Sequence, residues 1–356
     1  MDKTNKLCIN EVFKMKTTII NVDNNMDNIK SYEQAVDILK SGGVVAFPTE
    51  TVYGLGAIAT DEKAVDKIFK AKGRPSDNPL IVHIGNKEEV AKYAADIPKQ
   101  AAELMHAFWP GPLTLIFNAI PGVIAPNVTP GLETVGIRMP DHPVALKLLR
   151  ELQAPLAAPS ANRSGKPSPT EALHVEEDLN GLIPLILDGG RTGVGLESTV
   201  IDMTVQPPTI LRPGGATREM IEEVIGPVAV ADEKATEDTP RAPGMKYRHY
   251  APEAPLFIIE SDMEKIENAV KKLQKEHKKT AVIGPDNFRT AKADWYFAIG
   301  SSRSNEEMAV NLYKALRQCD LIDADIILAV ETDLAGVGTA FMNRLLKASD
   351  GKRFIN

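Results

Sequence analysis

Residues 42–83 read GGVVAFPTETVYGLGAIATDEKAVDKIFKAKGRPSDNPLIVH, and the rest of the chain is organised around them. Val44–Phe47 is a short β-branched and apolar run that predicts a buried strand. Pro48 ends it, because proline cannot donate to a ladder. Thr49, Glu50, Thr51 and Tyr53 crowd polar groups at the carboxyl end of that strand, and Gly54 and Gly56 permit a tight turn or a close approach to a ligand. Thr60 is the expected N-cap of a helix with Asp61 and Glu62 in its first turn, and Gly73 is its expected stop. On that helix Ala64, Val65, Ile68 and Phe69 form an apolar stripe for core packing.

Lys70, Lys72 and Arg74 close the helix, followed by Pro75, Asn78 and Pro79. Cations near a helix C-terminus are favoured by the dipole, so capping and solvation account for them. A polar strand end facing a basic turn is also how an anion site is built. The residues point to an anionic ligand and do not say which.

A chain of 356 residues exceeds one ordinary core and predicts two domains. An apolar fraction of 43% and a charged fraction of 25% are those of a globular protein. No run of eighteen apolar residues occurs and the N-terminus lacks the apolar core of a signal peptide, so no membrane contact is expected and the cytoplasm is the default location. Two cysteines without a C-x-x-C pair indicate neither a disulfide framework nor a thiolate zinc site. The net charge of −7 argues against a surface that grips nucleic acid as a whole and leaves room for a local basic cleft.

Residues 1–14 show no periodicity, and Met15 begins MKTTII, a more natural strand start, so the first fourteen residues read as a loose extension or an upstream-start artefact. Ile29, Tyr32, Val36 and Leu39 recur at helical spacing up to Gly42–Gly43. Leu80–Ile84 is a strand carrying His83, which on its own reads as a satisfied structural histidine. Asp96 and Pro98 open a helix to Phe108. Leu113–Phe117 and Thr134–Arg138 are strands, and Arg138 at a strand end suits a carboxylate or phosphate better than a core. Pro143–Leu152 is a helix and Pro155–Ala158 a short strand running into Ser160 and Asn162, which suit either a turn or ligand hydrogen bonds. Thr170 is the expected cap of the next helix. Ile183–Leu187, Thr199–Asp202 and Thr209–Leu211 add strands, and Thr217–Ile225 is a closing helix with Gly226 as its stop.

From Pro227 to Pro255 the pattern collapses into a proline-rich stretch, acidic and then basic, that reads as a linker. Lys246, Tyr247, Arg248, His249 and Tyr250 are too specific for an inert tether, and a linker folding back over a cleft would use them. Leu256–Ile259, Thr280–Ile283 and Ile326–Val330 are buried-type strands alternating with helices near 263–276, 305–318 and 339–348, which predicts parallel strands with crossover helices. G-x-x-x-x-G-K-[ST], G-x-S-x-G and H-E-x-x-H are absent, so any nucleotide would be held by dispersed arginines, lysines and hydroxyls.

FPTETVYGLG followed by KAKGRPSDNPLIVH resembles the signature of the YrdC/Sua5 family, the threonylcarbamoyl-AMP synthases of tRNA modification. WPGPLT (109–114), VGIRMPDHP (135–143), APSANRSGKPSPT (158–170), DGG (188–190), ESTVID (197–202), LRPGG (211–215), APGMKYRHYAP (242–252) and the C-terminal GVGTAFMNRLLKAS extend the resemblance in order over nearly the whole chain. It implies an α/β protein in the two-domain Sua5 form. A YrdC-like twisted mixed sheet with helices around a deep cleft would span 1–226, a linker or lid 227–255, and a smaller Rossmann-like α/β domain 256–356.

The reaction implied joins L-threonine, bicarbonate and ATP into threonylcarbamoyl-adenylate and pyrophosphate. A separate transferase would then use the product on adenosine 37 of tRNA. By resemblance, Thr51, His83, Arg138, Ala158 and Ser198 fall at threonine-binding positions, the match for His83 overriding its structural reading. Arg74, Asn78, Thr134, Ser160, Ser168, Arg212 and Tyr247 fall at ATP positions. Lys72, Arg74, Ser160 and Asn162 match the catalytic K-x-R…S-x-N set around the phosphates. Mg²⁺ is expected on the triphosphate, held mainly by phosphate oxygens and water, with no metal site of the protein's own. The competing readings are an RNA-binding module, which would need stacking aromatics on a broad basic face, and the related carbamoyl-transfer chemistry of hydrogenase maturation proteins, whose additional zinc-finger and acylphosphatase-like regions have no counterpart here. A weak RNA contact stays open beside the enzyme reading.

Overall fold

The computed structural model describes residues 16–22, 29–231, 249–290 and 292–355. Residues 1–14, and Lys246, Tyr247 and Arg248 of the linker, fall outside them. Strand β1 (Thr18–Asn21) is followed by helix α1 (Ile29–Lys40), which buries Tyr32, Ala35, Val36 and Leu39 on one face. β2 (Val45–Phe47) then runs to Pro48, as its apolar run predicts.

Gly54 and Gly56 belong to a strand instead of a turn. β3 (Gly54–Ile58) returns antiparallel along β2, pairing Val45 with Gly56 and Phe47 with Gly54. Gly56 is there for packing, since a Cβ on it would stand 2.8 Å from the Phe47 ring, whereas Gly54 lines the cleft. Helix α2 (Glu62–Lys72) is capped by Asp61 and not by Thr60, the Asp61 carboxylate accepting from Ala64 N–H at 3.1 Å. Gly73 ends it in the left-handed conformation, as expected.

The chain continues through β4 (Val82–His83), α3 (Lys99–Phe108), β5 (Leu113–Asn118), β6 (Thr134–Arg138), α4 (Pro143–Leu152) and β7 (Leu156–Ala157). After these come α5 (Ala172–Leu179), β8 (Leu185–Asp188), β9 (Thr199–Asp202), β10 (Thr209–Arg212), α6 (Arg218–Ile225) and β11 (Ala229–Val230). Thr170 does not cap α5. Glu171 takes the N-cap position without a side-chain bond, and Thr170 N–H donates to His174 Nδ1 at 3.3 Å. Among the described residues these strands form one eleven-stranded sheet in the order β1-β8-β2-β3-β7-β4-β6-β5-β9-β10-β11. The sheet is mixed, as expected: β4 and β6 run parallel, for example, while β5 and β6 run antiparallel. It continues past Gly226 into what reads as linker, because Ala229 and Val230 pair with Thr209 and Ile210.

The remaining elements are β12 (Leu256–Ile259), α7 (Met263–Lys275), β13 (Thr280–Gly284), β14 (Trp295–Ala298), α8 (Asn305–Cys319), β15 (Ile326–Val330) and α9 (Gly338–Ser349). They build a second sheet, β12-β15-β13-β14, parallel throughout. β14 escapes the sequence reading because it is an edge strand, half-buried along its length, with no buried run to announce it.

The two sheets share one core at their junction. Val52 and Leu196 of the first pack with Tyr250, Leu312, Tyr313 and Phe341 of the second. Gly195 lets α8 come this close, since a Cβ there would lie 2.4 Å from Val310 Cα. Among the described residues no helix is long and apolar enough to cross a membrane.

Candidate functional site

The first sheet is broken into short strands, and the loops leaving β2 and β7, the turn after α2, the last residues of β4, β6 and β10 and the segment entering β9 converge on one cleft. Of the residues expected there, Thr51, Arg74, His83, Arg138, Ala158, Ser160, Asn162, Ser198 and Arg212 line it.

One end is built on β4 and β6, which pair His83 with Arg138 across parallel strands. The Thr49 hydroxyl ties the turn after β2, accepting from Thr51 N–H, donating to Val52 O at 2.7 Å and meeting Thr51 Oγ1 at 2.8 Å. His83 lies edge-on to Phe47, and Nδ1 is 3.2 Å from Ile81 O, which requires the proton on Nδ1 and leaves Nε2 as an acceptor. Burial first, and the Arg138 charge second, push its pKa down to about 3, so the ring is neutral. Arg138 is buried, with Nε donating to Gly111 O at 3.3 Å and Nη2 lying 2.5 Å from Glu50 Oε1. That pair is in contact without hydrogen-bond alignment: Nη2 and both Glu50 oxygens are enclosed with no aligned partner. Enclosed polar atoms without partners are costly, and the polar groups of a ligand are the usual compensation.

Ser198 closes this end through its hydroxyl, 2.8 Å from Thr114 Oγ1 and 3.1 Å from Arg212 Nη2. Arg212 also grips the Ser198 carbonyl from Nε and Nη2 at 3.1 and 2.9 Å.

Arg74, Ser160 and Asn162 form the other end. Ser160 Oγ donates to Asn162 Oδ1 at 2.5 Å, and Asn162 Nδ2 donates to Arg163 O and Lys166 O, which curls the loop after β7. Lys72 stands beneath this loop and outside the lining. It is 2% exposed and donates to Ser160 O at 2.5 Å and Asn162 O at 2.6 Å. Burial, then the Arg74 charge, lowers its pKa well below that of an ordinary lysine. Lys72 therefore holds the loop that carries Ser160 and Asn162, which is neither helix-end solvation nor a direct reach into the cleft.

Three further expected residues lie off the lining. Asn78 is fully buried with neither amide atom hydrogen-bonded. Ser168 spends its hydroxyl on Glu197 Oε1 at 2.5 Å. Thr134 begins β6, four residues before Arg138 and roughly 13 Å from it at the rise of an extended strand. Tyr247 falls outside the described residues.

Glu197 also lines the cleft and Glu50 stands against Arg138 beside it, though the motifs give neither a site role. Glu50 belongs to the polar cluster at the end of β2 and Glu197 opens the ESTVID motif, each directly before an expected site residue, Thr51 and Ser198. His249 and Tyr250, two of the linker residues read as too specific for an inert tether, close the lining from the far end of the linker, and Tyr250 stacks on Tyr313 at 5.1 Å. Burial, then Arg74 and Lys347, hold the His249 pKa at about 3, leaving a neutral ring. Among the described residues no group of three or more His, Cys, Asp or Glu side chains is placed to hold a metal ion. The arrangement is a charge-lined cleft with one end suited to a small carboxylate-bearing molecule and the other, around Arg74, suited to phosphates.

Residues 37–214 match the family Sua5_yciO_yrdC, described as telomere recombination, and residues 216–350 match Sua5_C, the threonylcarbamoyl-AMP synthase C-terminal domain. The threonylcarbamoyl-AMP synthase of Pyrococcus abyssi is 50% identical over 348 residues, covering 95% of this chain and 99% of its own. That of Bacillus subtilis is 48% identical over 344 residues with the same coverage. Among solved structures, P. abyssi Sua5 complexed with L-threonine superposes with a TM-score of 0.90 at 48% identity, over 95% of this chain and 99% of that one.

Proposed function

This chain belongs to the Sua5 family of threonylcarbamoyl-AMP synthases, and on that premise we propose how its cleft performs the reaction. The enzyme converts L-threonine, bicarbonate and ATP into threonylcarbamoyl-adenylate and pyrophosphate. The threonine amine, having lost a proton, attacks the carbon of bicarbonate; the C–OH bond breaks and the hydroxide leaves as water with a second proton from the nitrogen, which gives the carbamate. A carbamate oxygen then bonds to the α-phosphorus of ATP, and the bond to the β-phosphate oxygen breaks, releasing pyrophosphate.

The observation that carries this reading is the Arg138–Glu50 contact, charged groups enclosed without aligned partners beside a neutral histidine. The threonine carboxylate would take the Arg138 fork, with Thr51, His83, Ser198 and the backbone of Ala158 around the rest of the amino acid. Arg74, Ser160 and Asn162 would receive the phosphates, and Lys72 would keep their loop in place. Arg212 and the unpartnered amide of Asn78 would complete the nucleotide contacts with Thr134, Ser168 and Tyr247. With no covalent nucleophile required, rate comes from positioning and charge neutralisation. Mg²⁺ would be brought in on the triphosphate, held mainly by phosphate oxygens and water, and would screen their charge. The product would pass in the cytoplasm to a transferase acting on tRNA. The test is pyrophosphate release from ATP by the purified protein: it should require both threonine and bicarbonate, and release that ignores either would overturn the reading.

A further inference from the structure

Helix α9 of the second sheet reaches the wall of the cleft. Arg344 is fully buried and donates from Nε to Glu197 Oε2 at 2.8 Å and from Nη1 to Pro213 O at 2.9 Å and Asn343 Oδ1 at 2.7 Å. Tyr313 on α8 donates its hydroxyl to the same Glu197 oxygen at 2.8 Å, and the other oxygen receives Ser168. Glu197 itself lines the cleft and precedes Ser198, the residue that Arg212 grips. A glutamate of the first sheet is thus held on one side by the second and on the other by an expected nucleotide contact.

This is more than the joint needs. The two halves are already pinned outside the cleft lining by Arg317, whose Nη2 donates to Asp178 at 2.8 Å and to Pro167 O at 2.6 Å, and by Lys314 on Glu171 at 2.9 Å. Apolar contacts of Val52 and Leu196 add to that. Burying one more arginine–carboxylate pair is a weak route to stability, whereas removing one partner leaves a stranded charge. The pair stands where a stranded charge would be felt by the substrate.

We propose that Arg344 is a positioning residue of the synthase site, acting through Glu197 on the Ser168 hydroxyl and the Arg212 guanidinium, so that the second domain completes the nucleotide contacts where they meet the threonine end of the cleft. The proposal rests on the function given above. Glu197 faces Arg344 from α9, Arg212 from β10, Tyr313 from α8, Tyr250 and His249 beyond the linker, and Lys72 from α2. Burial alone would raise its pKa, but Arg344 first and Arg212 second hold it at about 2. Without Arg344 the carboxyl protonates at a higher pH and its hold on Ser168 changes with it.

The experiment uses the full-length chain with Arg344→Gln, Arg344→Lys and the double variant Arg344→Gln/Glu197→Gln. Arg344→Gln should raise KM for ATP at least about tenfold and leave KM for threonine within about threefold. It should also add an acid limb to kcat/KM for ATP, which the double variant lacks and Arg344→Lys largely removes. An unchanged KM for ATP and pH profile in folded Arg344→Gln overturns the proposal, as does a loss that only tracks the unfolded fraction. If that variant does not fold, Tyr313→Phe, which deletes one bond to Glu197 and no charge, should raise KM for ATP about two- to fivefold, and no change there is equally fatal. Calorimetric binding of a non-hydrolysable ATP analogue repeats the comparison without turnover. Failure of the wild type to release pyrophosphate would then count against the assigned reaction alone.

Discussion

Two glutamates at the cleft, Glu197 buried in its lining and Glu50 half-buried against Arg138, each face an arginine, and they are built differently. Glu197 spends both oxygens on aligned donors, Ser168 on one and Tyr313 and Arg344 on the other. Glu50 touches Arg138 at 2.5 Å, yet neither of its oxygens nor Arg138 Nη2 has an aligned bond. A saturated carboxylate in a low-dielectric setting makes structure, because any rearrangement strands a charge. An unsaturated pair keeps bonding capacity for something else. In the proposed mechanism the threonine carboxylate uses that capacity, and the saturated pair holds Ser168, an expected nucleotide contact, still.

The largest effect that could break this comparison lies at Arg138. Arg138→Ala should weaken threonine binding by about 2–3 kcal/mol, on the order of 30- to 150-fold, and leave binding of an ATP analogue nearly unchanged. Calorimetric titration of each ligand measures both, and equal losses would remove the distinction between the two ends.

Lys72 tests a third way of satisfying a buried charge, on backbone carbonyls. Lys72→Met leaves the carbonyls of Ser160 and Asn162 without their donor, so turnover should drop at least about tenfold. Stability should fall with it, by about 2 kcal/mol. A cation merely solvating a helix end would cost tenths of that and no activity, and thermal melts beside turnover assays separate the cases.

His83 sharpens the comparison through pH. Its folded pKa of about 3 lies below the unfolded value near 6.5, so the unfolded chain binds the extra proton between those values. The stability conferred by the neutral ring is complete above about pH 6.5 and is lost as pH falls toward 3. Denaturant midpoints across that range should therefore decline less steeply in His83→Gln than in the wild type. Parallel declines would mean that the ring titrates normally.

The smallest effect belongs to an exposed pair of the same chemistry. Arg353 meets Glu331 at 2.7 Å with half of its side chain in solvent. Arg353→Ala should change stability by less than about 1 kcal/mol and leave turnover intact. A larger loss in a urea titration would show that burial is not what separates these pairs.

Much of the frame was legible in advance. Thr199–Asp202, Leu256–Ile259, Ile326–Val330 and Pro143–Leu152 have the bounds that their apolar periodicity predicts. Local signals misled where two readings were near in energy. Asp61 displaces its neighbour Thr60 as cap, and Glu171 displaces Thr170. Gly54 and Gly56 look like a turn because nothing nearby announces that the Phe47 ring will lie across them.

Strand periods, cap residues and ordered motifs are properties of neighbours in the chain. They were enough to determine an α/β fold, a polar strand end facing a basic turn, and which arginines and hydroxyls to watch. Whether a given charge is spent or available was decided only in three dimensions. Lys72 became a loop anchor because residues 160–162 fold onto it, and Glu197 became a brace because Arg344 arrives from 147 positions away. Burial and hydrogen-bond alignment set the worth of an ionised group, and both depend on what other parts of the chain pack against it.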